Sequence, residues 1–568
     1  MTNYQFTGGT ICAPATIPGT GAISIIRVSG KESLAIADKV IDTKGVPIAE
    51  TEGYRLRYGT IFEADGSVLD NVIVSVFRAP HSYTGENSVE ISCHASRFIV
   101  NKILELLVNA GARIAAPGEF TRRAFVNGKM DLAQAEAVAD VIASQSAASH
   151  RVAMNQLKGG FSSELKVLRE KLLTMTSLLE LELDFSEEDV EFASRKELGQ
   201  LVDDSLTHIR RLTASFSRGN AIKNGIPVAI VGATNTGKST LLNAMLGEER
   251  AIVSDIAGTT RDTIEETLNI DGILFRFIDT AGIRETDETI EKIGIDRTFK
   301  KLGEATVVLG MTDLSRGEAA VLEDADFILS KVNEMGGVKN DGTENDGSET
   351  GGTPLAGTDG ASLAGTGGAS LAETGGAHLA ETDGTSLAET DGASQHGHGD
   401  GQERKVVILV NKCDVAGDFY RDDNGTGYGS GNDLGENMAE IGGNKNVNHD
   451  NNIVSLIENK YDNCKVIPIS AKTGKGLSTL TKTLGEIGSE ITGSTDETLV
   501  TNVRHYEALV RAASALDRVR AGLHIATLPP DLIAQDLREA LYHLGEIVGE
   551  ISTDETLGNI FRNFCIGK

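Results

Sequence analysis

The clearest pattern along the chain is a helical repeat of apolar residues between Asp131 and about Gly219. Apolar side chains recur there every three or four residues, which keeps one helix face apolar over about seven turns. A similar stripe returns from about Thr501 to the end of the sequence. The two stripes consist of Leu157, Phe161, Leu165, Leu168, Leu172, Met175, Leu179 and Leu183, and of Leu541, Leu544, Ile547 and Ile551. Such faces are typical of helices in a bundle or a dimer. Because another pattern separates the two segments, we predict one helical domain that is split by an insertion.

The first 125 or so residues alternate β-rich runs with Gly/Pro turns. Residues 22–28 and 72–77 are such runs, and one helical stretch near Phe98 to Val108 interrupts the strands. This mixture predicts a compact α+β domain.

Between about 224 and 489, apolar strands alternate with helices, as a parallel sheet requires. Two low-complexity tracts interrupt the alternation. Residues 355–394 hold five copies of an octapeptide that contains one large apolar residue, and residues 416–452 are rich in Gly, Asn and Asp. Such composition cannot build a core, so we predict disordered insertions at about 335–403 and 416–455, in loops between strands.

These patterns divide the 568 residues into four segments, in line with the usual domain size. The predicted boundaries are 1–125 for the N-terminal α+β domain, 126–223 for the first part of the helical domain, 224–489 for the inserted α/β domain and 490–568 for the second helical part.

Composition narrows the class of protein. The longest apolar runs are strand-sized, so we expect no membrane span, and the first residues fit neither a secretory signal nor a transit peptide. The cysteines Cys12, Cys93, Cys413, Cys464 and Cys565 form no CxxC pair, which favours the reducing cytosol. A net charge of −29 argues against a generally nucleic-acid-binding surface. The negative charge is unevenly distributed, because residues 341–403 alone contribute twelve acidic residues and no Lys or Arg. The rest of the chain can therefore still form a local basic groove for RNA.

A phosphate-binding loop follows the first strand of the central segment. The run from Gly232 to Ser239 matches GxxxxGK[ST] between a strand and a helix. Its glycines let backbone N–H groups face the phosphates, Lys238 reaches the terminal phosphates, and Ser239 is a ligand for Mg²⁺. The loop alone does not distinguish GTP from ATP.

Base specificity is predicted from two later strand ends. Asp414, in the sequence Asn411-Lys412-Cys413-Asp414, can accept hydrogen bonds from the ring N–H and the exocyclic amine of guanine. Adenine lacks that donor pair and would leave the carboxylate unpaired, which costs several kcal/mol. The sequence Ser470-Ala471-Lys472 supplies a backbone N–H for the guanine oxygen. Together with the phosphate loop, these motifs predict a guanine-nucleotide-binding domain that hydrolyses GTP.

Two switch-like segments lie between these motifs. Asp279 can hold Mg²⁺ through water, the Gly282 N–H can sense the γ-phosphate, and Thr260 is the predicted second Mg²⁺ ligand. Ras-type GTPases place a water-orienting Gln after that glycine, whereas this chain has Ile283. Catalysis must therefore recruit another group, and the acidic stretch Glu285, Asp287, Glu288 and Glu291 follows in the same region.

The residues predicted to contact GTP are Asn235, Thr236, Gly237, Lys238, Ser239, Thr240, Ser254, Asp255, Ile256, Ala257, Gly258, Thr259, Thr260, Asp279, Thr280, Ala281, Gly282, Asn411, Lys412, Asp414, Ser470, Ala471 and Lys472.

Several further segments resemble the MnmE (TrmE) family of tRNA-modifying GTPases. They are Arg27-Val-Ser-Gly30, Ser82-Tyr-Thr-Gly-Glu86, the long run from Pro117 to Glu136, and Phe564-Cys-Ile-Gly-Lys568. The resemblance covers the whole chain except the two insertions. It implies an N-terminal tetrahydrofolate-binding domain that dimerises, a discontinuous helical domain and an inserted Ras-like P-loop G domain.

The resemblance also implies an activity. Together with the FAD-dependent protein MnmG (GidA), in a heterotetramer, the family forms the 5-carboxymethylaminomethyl (or aminomethyl) group on the wobble uridine of certain tRNAs. A 5-formyl- or 5,10-methylene-tetrahydrofolate supplies the one-carbon unit. In this family GTP hydrolysis is activated by K⁺, which lies between the phosphates in place of an arginine finger as the G domains pair.

Site residues follow from the same resemblance. Asn235, Ser254, Ile256 and Thr259 match the potassium-binding positions, although the family commonly has Thr where this chain has Ser254, which keeps a ligating oxygen. Glu291 matches the catalytic glutamate that orients the attacking water. The folate positions are Arg27, Glu90, Lys129 and Lys568, each of which from sequence alone would be an ordinary surface charge. Cys565, beside the folate positions, is either a reactive thiol or an incidental cysteine.

Two other functions compete with this interpretation. A regulatory GTPase of the Era type, acting on ribosomal RNA, is disfavoured because no KH-like GxxG domain follows the G domain. A GTP-gated scaffold without turnover is the other alternative. The sequence leaves open which tRNAs are substrates, whether ammonium or glycine is the donor, and what the octapeptide repeats do.

Overall fold

The computed structural model describes residues 8–184, 195–249, 266–278, 303, 305–334, 404–414, 453–461, 464–493, 497–525, 529–551, 557–558, 560–561, 564 and 567.

The N-terminal segment folds around a seven-stranded sheet with the order β3-β4-β5-β6-β2-β1-β7. Its strands are β1 (Ile11–Pro14), β2 (Ile23–Ser29), β3 (Ile41–Asp42), β4 (Arg55–Phe62), β5 (Val68–Phe77), β6 (Ser88–His94) and β7 (Arg113–Ile114). Neighbouring strands are antiparallel, except that β1 and β7 are parallel. Along β5 the alternate residues Val72, Val74 and Val76 are buried, which is the two-residue period of a strand with one covered face.

Two helices cover that face, α1 (Ser33–Val40) and α2 (Arg97–Asn109), and α3 (Glu119–Val126) follows. Leu34 and Leu107 from the first two helices share one core with the valines of β5. The stretch near Phe98 to Val108 corresponds to α2, whereas the sequence interpretation missed α1. This helix has eight residues, too few for a helical period to stand out.

The helical domain contains α4 (Leu132–Ala143), α5 (Ala147–Leu157), α6 (Gly160–Asp184), α7 (Arg195–Ala214) and α8 (Phe216–Asn224), and after the insertion α13 (Val503–Leu523) and α14 (Pro530–Val548). Capping boxes start α4 at Asp131 and α5 at Ser146. One hydrophobic core joins residues from both sides of the insertion, among them Leu172, Leu206, Leu516 and Leu544. The two helical segments therefore form one domain.

The apolar stripes differ from the prediction at two points. The first is broken between α5 and α6, where Gly159 has a φ of +86°. The second ends at Gly549, whose φ of +84° terminates α14. Ile551 lies beyond that end and is 37 % exposed, so it was wrongly placed on the buried stripe.

The central segment is an α/β domain with a six-stranded sheet of order β13-β12-β11-β8-β10-β9. Its elements are β8 (Ile226–Gly232), α9 (Lys238–Glu249), β9 (Glu266–Ile270), β10 (Ile273–Ile278), β11 (Val307–Asp313), α10 (Glu318–Glu334), β12 (Lys405–Asn411), α11 (Ile453–Lys460), β13 (Cys464–Pro468) and α12 (Leu477–Thr492). All neighbouring strands are parallel except β9 and β10, which form a hairpin. The carboxyl ends of the parallel strands therefore meet at one edge of the sheet.

Four predicted boundaries fall inside helices. Those at 125/126 and 223/224 each separate the last residue of a helix, α3 or α8, from the rest of that helix. The helix α11 begins at Ile453, within the predicted second insertion of about 416–455, and Ile453 is 1 % exposed. The boundary at 489/490 falls within α12, whose Ile487 belongs to the core of the α/β domain. Among the described helices, none is both long and apolar enough to cross a membrane. The three-part architecture confirms the predicted fold class.

The α/β domain touches the helical domain through the β9–β10 hairpin. The Ala148 N–H, in the first turn of α5, donates to the Gly272 carbonyl over 3.3 Å. The Asn269 side-chain amide donates to the Gln145 carbonyl at 3.0 Å, and its oxygen accepts from the Gly272 N–H at 3.1 Å. The hairpin turn therefore closes the N-terminus of α5.

Candidate guanine-nucleotide site

The phosphate loop, residues 233–237, lies between β8 and α9, as the motif requires. Its two flanking glycines leave no room for a side chain. A Cβ at Gly232 would lie 2.3 Å from the Met311 carbonyl oxygen, and one at Gly237 would lie 2.4 Å from the Asn411 side-chain nitrogen. Gly237 also has a φ of +100°, a conformation that side chains rarely adopt. The loop is therefore held tightly against β11 and against Asn411.

Lys238 opens α9 and folds back over the loop. Its Nζ donates to the carbonyl oxygens of Gly232 and Ala233 at 2.9 and 2.8 Å. Burial lowers the pKa of this ammonium group. A phosphate would offer this half-buried cation a charged acceptor in place of two neutral ones. Asn235, at the exposed tip of the loop, has a φ of +60°.

Asn411 joins three of the predicted motifs. Its amide nitrogen donates to the Thr236 carbonyl at 2.7 Å, and its side-chain oxygen accepts from the Ala471 N–H at 2.9 Å. Asn411 is 3 % exposed. This single side chain at the end of β12 therefore links the phosphate loop to the segment that is predicted to contact the base.

Asp414 lies at the predicted base pocket and is oriented by Ser470, whose Oγ donates to Asp414 Oδ1 at 2.6 Å. The second carboxylate oxygen is the one left to face a base. The Ala471 N–H is already used by Asn411, so the next backbone N–H, that of Lys472, is the better candidate for the guanine oxygen. Ser239 and Thr240 occupy the first turn of α9, after Lys238.

The sequence interpretation missed Asp313. Its Oδ2 accepts from Lys412 Nζ at 2.6 Å, and the Asp313 side chain is 8 % exposed. Asp313 is the last residue of β11 and is paired in register with Asn411 on β12. Asp313 could have been recognised from the sequence, because it stands at the end of an apolar strand, as the recognised motifs do.

A second group of predicted residues meets on the N-terminal sheet. Arg27 on β2 donates through Nε and Nη2 to Glu90 Oε1 on β6, at 2.9 and 2.8 Å. The guanidinium lies 5.2 Å from the Tyr83 ring and 5.6 Å from the Phe120 ring. Both aromatic residues were missed, because their proximity to Arg27 comes from the tertiary fold. The fold thus brings a cation, a carboxylate and two aromatic rings together, which are groups that suit contact with a planar heterocycle.

The C-terminal tail reaches the same group. The Gly567 carbonyl accepts from Arg27 Nη1 at 3.4 Å, and a Cβ at Gly567 would lie 2.1 Å from the Pro14 carbonyl oxygen. Lys129 contacts the neighbouring loop, where its Nζ donates to the Pro80 carbonyl at 3.1 Å. The fold therefore brings Arg27, Glu90 and the tail together and places Lys129 beside the loop that contains Tyr83.

The remaining predicted site residues lie outside the described part of the chain. They are Ser254, Asp255, Ile256, Ala257, Gly258, Thr259, Thr260, Asp279, Thr280, Ala281, Gly282, Glu291 and Lys568, together with Cys565 and most of the two insertions. Within the described residues, no group of three His, Cys, Asp or Glu side chains is placed to hold a metal ion. The described cysteines Cys12, Cys93, Cys413 and Cys464 are free thiols, and burial raises the pKa of each to about 11.

A parallel sheet with a phosphate loop after β8 and an Asn-Lys-Cys-Asp sequence after β12 defines a P-loop GTPase domain. Its insertion between two parts of a helical domain sets the chain apart from single-domain GTPases.

Comparisons with known proteins identify the family. The MnmE helical domain matches residues 132–565, and the N-terminus of the GTP-binding protein TrmE matches residues 10–129. The tRNA modification GTPase MnmE of Parabacteroides distasonis is 43 % identical over 562 residues, which cover 98 % of this chain and 100 % of that protein. The MnmE proteins of Bacteroides thetaiotaomicron and Porphyromonas gingivalis are 42 % and 41 % identical, covering 98 % and 100 % of this chain and 99 % of each relative. The chain belongs to the MnmE family of tRNA modification GTPases.

The solved structure of a GTP-binding protein from Sulfolobus solfataricus, in complex with GDP, is 15 % identical to this chain. The match covers 57 % of this chain and 67 % of the solved chain. Its TM-score of 0.24 is too low to support any argument.

Proposed function

We propose that this protein is a K⁺-activated GTPase that modifies the wobble uridine of certain tRNAs together with an FAD-dependent partner, MnmG (GidA). The product is the 5-carboxymethylaminomethyl or aminomethyl uridine. Hydrolysis of GTP drives pairing of the G domains and a change of conformation. Family membership supports tRNA as the substrate, and the cytoplasm, where tRNA is used, is the proposed compartment.

The observation that carries the GTPase part is the bridge made by Asn411. One buried side chain holds the phosphate loop through Thr236 and the base segment through Ala471. A bound nucleotide would span the same distance, from Lys238 at the phosphates to Asp414 at the base. Preorganising both ends lowers the cost of binding, since neither has to be ordered by the ligand.

Mg²⁺ fits the donor set of this site. Ser239 follows Lys238 in the first turn of α9, and in P-loop nucleotide hydrolases the hydroxyl at this position holds Mg²⁺ beside the phosphates. We assign Ser239 and Thr260 as its protein ligands, with Asp279 acting through water. The ion would neutralise negative charge on the phosphates.

K⁺ is assigned to Asn235, Ser254, Ile256 and Thr259. Of these four, Asn235 is described, and its exposed position at the loop tip leaves the side chain accessible to an ion beside the phosphates. The ion would supply positive charge where an arginine finger acts in other GTPases. Glu291 is assigned as the residue that orients the attacking water, because Ile283 has no polar group.

A tetrahydrofolate, as the 5-formyl or 5,10-methylene form, fits the group around Arg27. Tyr83 and Phe120 offer aromatic surface, and Glu90 can accept from the amino-pterin edge. Lys129 and Lys568 are assigned to the anionic tail of the folate. The contact between Arg27 and the Gly567 carbonyl supports a role for the C-terminal tail in this site.

Homodimerisation is supported by an exposed apolar surface on the N-terminal sheet. Tyr58 and Ile73 face each other across β4 and β5, and they are 67 % and 47 % exposed. Leu56, two residues from Tyr58, is 66 % exposed. Adjacent apolar side chains on one open sheet face favour burial against a second copy.

GTP turnover in KCl and in NaCl tests the mechanism. We expect turnover to be at least tenfold faster in KCl, and Glu291→Ala should lose most of it while keeping nucleotide affinity. Equal slow rates in both salts would refute K⁺ activation, and full activity of Glu291→Ala would show that another group orients the water. Mass spectrometry of the wobble uridine in cells that lack the protein tests the tRNA reaction. We expect the modified nucleoside to be absent from those cells.

A further inference from the structure

We propose that Asp313 is a specificity-positioning residue of the guanine site, which holds the Lys412 ammonium away from Asp414 and so keeps Asp414 free for the base. This inference rests on the proposed function of the site.

The Asp313 carboxylate is fully oriented. Its Oδ1 accepts from the Ser315 N–H at 3.0 Å and from the Ser315 hydroxyl at 2.5 Å, which caps the 3-10 turn Leu314–Arg316. Its Oδ2 accepts from Lys412 Nζ at 2.6 Å. Because each oxygen has its own partner, the ion pair has a fixed direction, unlike a pair between two flexible surface chains.

The backbone at Lys412 is held in place by its neighbours, so only its side chain is free to move. The neighbouring Asn411 is anchored at both ends of its amide, and the Cys413 N–H donates to the Ile469 carbonyl at 3.3 Å. Lys412 itself has a φ of +65°. The backbone is thus set, and the remaining variable is the direction in which the ammonium points.

Charge makes that direction important. Lys412 precedes Asp414 by two residues, and a lysine side chain has a long flexible stem with a strongly charged end. Without a competing acceptor, the ammonium would be drawn to the Asp414 carboxylate. That pairing would occupy the acceptor that guanine needs for its ring N–H and exocyclic amine. Asp313 supplies the competing acceptor.

The state of Asp313 is consistent with this role. Burial disfavours its charged form, but the hydrogen bonds from Lys412 and Ser315 outweigh burial and lower the pKa of Asp313. The carboxylate therefore remains ionised at neutral pH and keeps its hold on Lys412.

Hypoxanthine lacks the exocyclic amine of guanine, so the ratio of GDP to IDP affinity reports how fully Asp414 engages the base. We would measure both affinities for the full chain by calorimetric titration. Asp313→Asn should weaken GDP binding about tenfold and narrow the GDP-to-IDP ratio severalfold. Turnover at saturating GTP should change less than twofold.

A second substitution makes the test independent of local stability. Lys412→Met removes the ammonium and keeps the apolar stem, so Asp313→Asn in that background should leave the GDP-to-IDP ratio at the value of Lys412→Met alone. Asp324→Asn is the matched control, because Asp324 pairs with Arg316 at 2.9 Å in the same region. It should leave both affinities unchanged.

The possible outcomes distinguish failure of the proposed GTPase function from failure of the role proposed for Asp313. A wild-type protein that binds neither nucleotide would overturn the proposed function. A wild-type protein that prefers GDP, with Asp313→Asn keeping the same ratio, would overturn this inference alone. An equal narrowing of the ratio in the Lys412→Met background would show that Asp313 acts on the base pocket without Lys412, which also contradicts the proposal.

Discussion

Glu136 Oε2 lies 2.7 Å from His505 Nε2, in the core of the helical domain and across the whole inserted GTPase domain in sequence. Their side chains are 8 % and 1 % exposed. Arg504 completes the cluster, since its Nε and Nη2 donate to the two Glu136 oxygens at 2.9 and 3.1 Å. This charged cluster links α4, which precedes the insertion, to α13, which follows it, and so joins the two parts of the helical domain.

Glu136→Gln should destabilise the helical domain by about 3 kcal/mol at neutral pH, because it leaves the half-buried Arg504 guanidinium without its counter-charge. Burial disfavours the charged form of Glu136, but His505 and Arg504 outweigh it and lower its pKa from 4.5 to about 2. A carboxyl group whose pKa is lower in the folded protein than in the unfolded chain stabilises the fold at pH values above the unfolded-chain pKa. This stabilisation is lost as the pH falls from about 4.5 to about 2.

Hydrogen exchange of the α13 amides in urea, from pH 7 to pH 3, would measure this stability. The wild type should lose stability in the acid range more steeply than Glu136→Gln. Glu507→Gln is the control, because Glu507 lies on the same helix and is exposed. Parallel acid profiles of the wild type and Glu136→Gln would contradict the assignment.

Gly237→Ala should abolish nucleotide binding, with a loss of at least a hundredfold in GDP affinity. The new Cβ would lie 2.4 Å from the Asn411 amide nitrogen, so the link between phosphate loop and base segment must break, and φ at this position is +100°. Gly247→Ala in α9 is the matched control, since a Cβ there meets nothing within 4 Å. It should bind GDP normally and gain up to about 1 kcal/mol from helix propensity. Normal GDP binding by Gly237→Ala would show that the loop does not rely on Asn411.

Motifs that depend on local context were predictable. The phosphate loop could be found because its glycines, its lysine and the flanking strand and helix are consecutive in sequence. The Asn-Lys-Cys-Asp sequence stands out for the same reason, as it follows a five-residue apolar run. In such cases local chemistry and local structure indicate the same element.

Contacts that depend on tertiary folding were not predictable. Asp313 and Lys412 are separated by 99 positions, and Glu136 and His505 by still more, so no sequence period brings them together. The approach of Tyr83 and Phe120 to Arg27 is of the same kind. Eight-residue α1 was missed for a different reason, because a short helix inside a β-rich region leaves too few turns to read.

Asn269→Ala should loosen the contact between the GTPase domain and the helical domain. It removes the hydrogen bond to the Gln145 carbonyl and the acceptor for the Gly272 N–H, which shapes the turn that caps Ala148. We expect hydrogen exchange at the Ala148 amide to accelerate about fivefold, the effect of losing about 1 kcal/mol. Gln145→Ala keeps the backbone carbonyl and should exchange like the wild type. Unchanged exchange in Asn269→Ala would mean that the hairpin does not protect α5.

Asp414→Asn should convert the preference of the site from guanine to xanthine. The Ser470 hydroxyl donates to Asp414 Oδ1 at 2.6 Å, and an asparagine can keep that bond through its own oxygen, so the local structure should survive. The other carboxylate oxygen becomes an NH₂ group, which opposes the N–H and amine donors of guanine but can donate to the carbonyl that xanthine has in place of the amine. Unpaired polar groups in a closed pocket cost several kcal/mol, so GDP affinity should fall at least a hundredfold while xanthosine diphosphate affinity rises. Competition binding with both nucleotides measures the change. Equal loss of both would mean that Asp414 supports the pocket without reading the base.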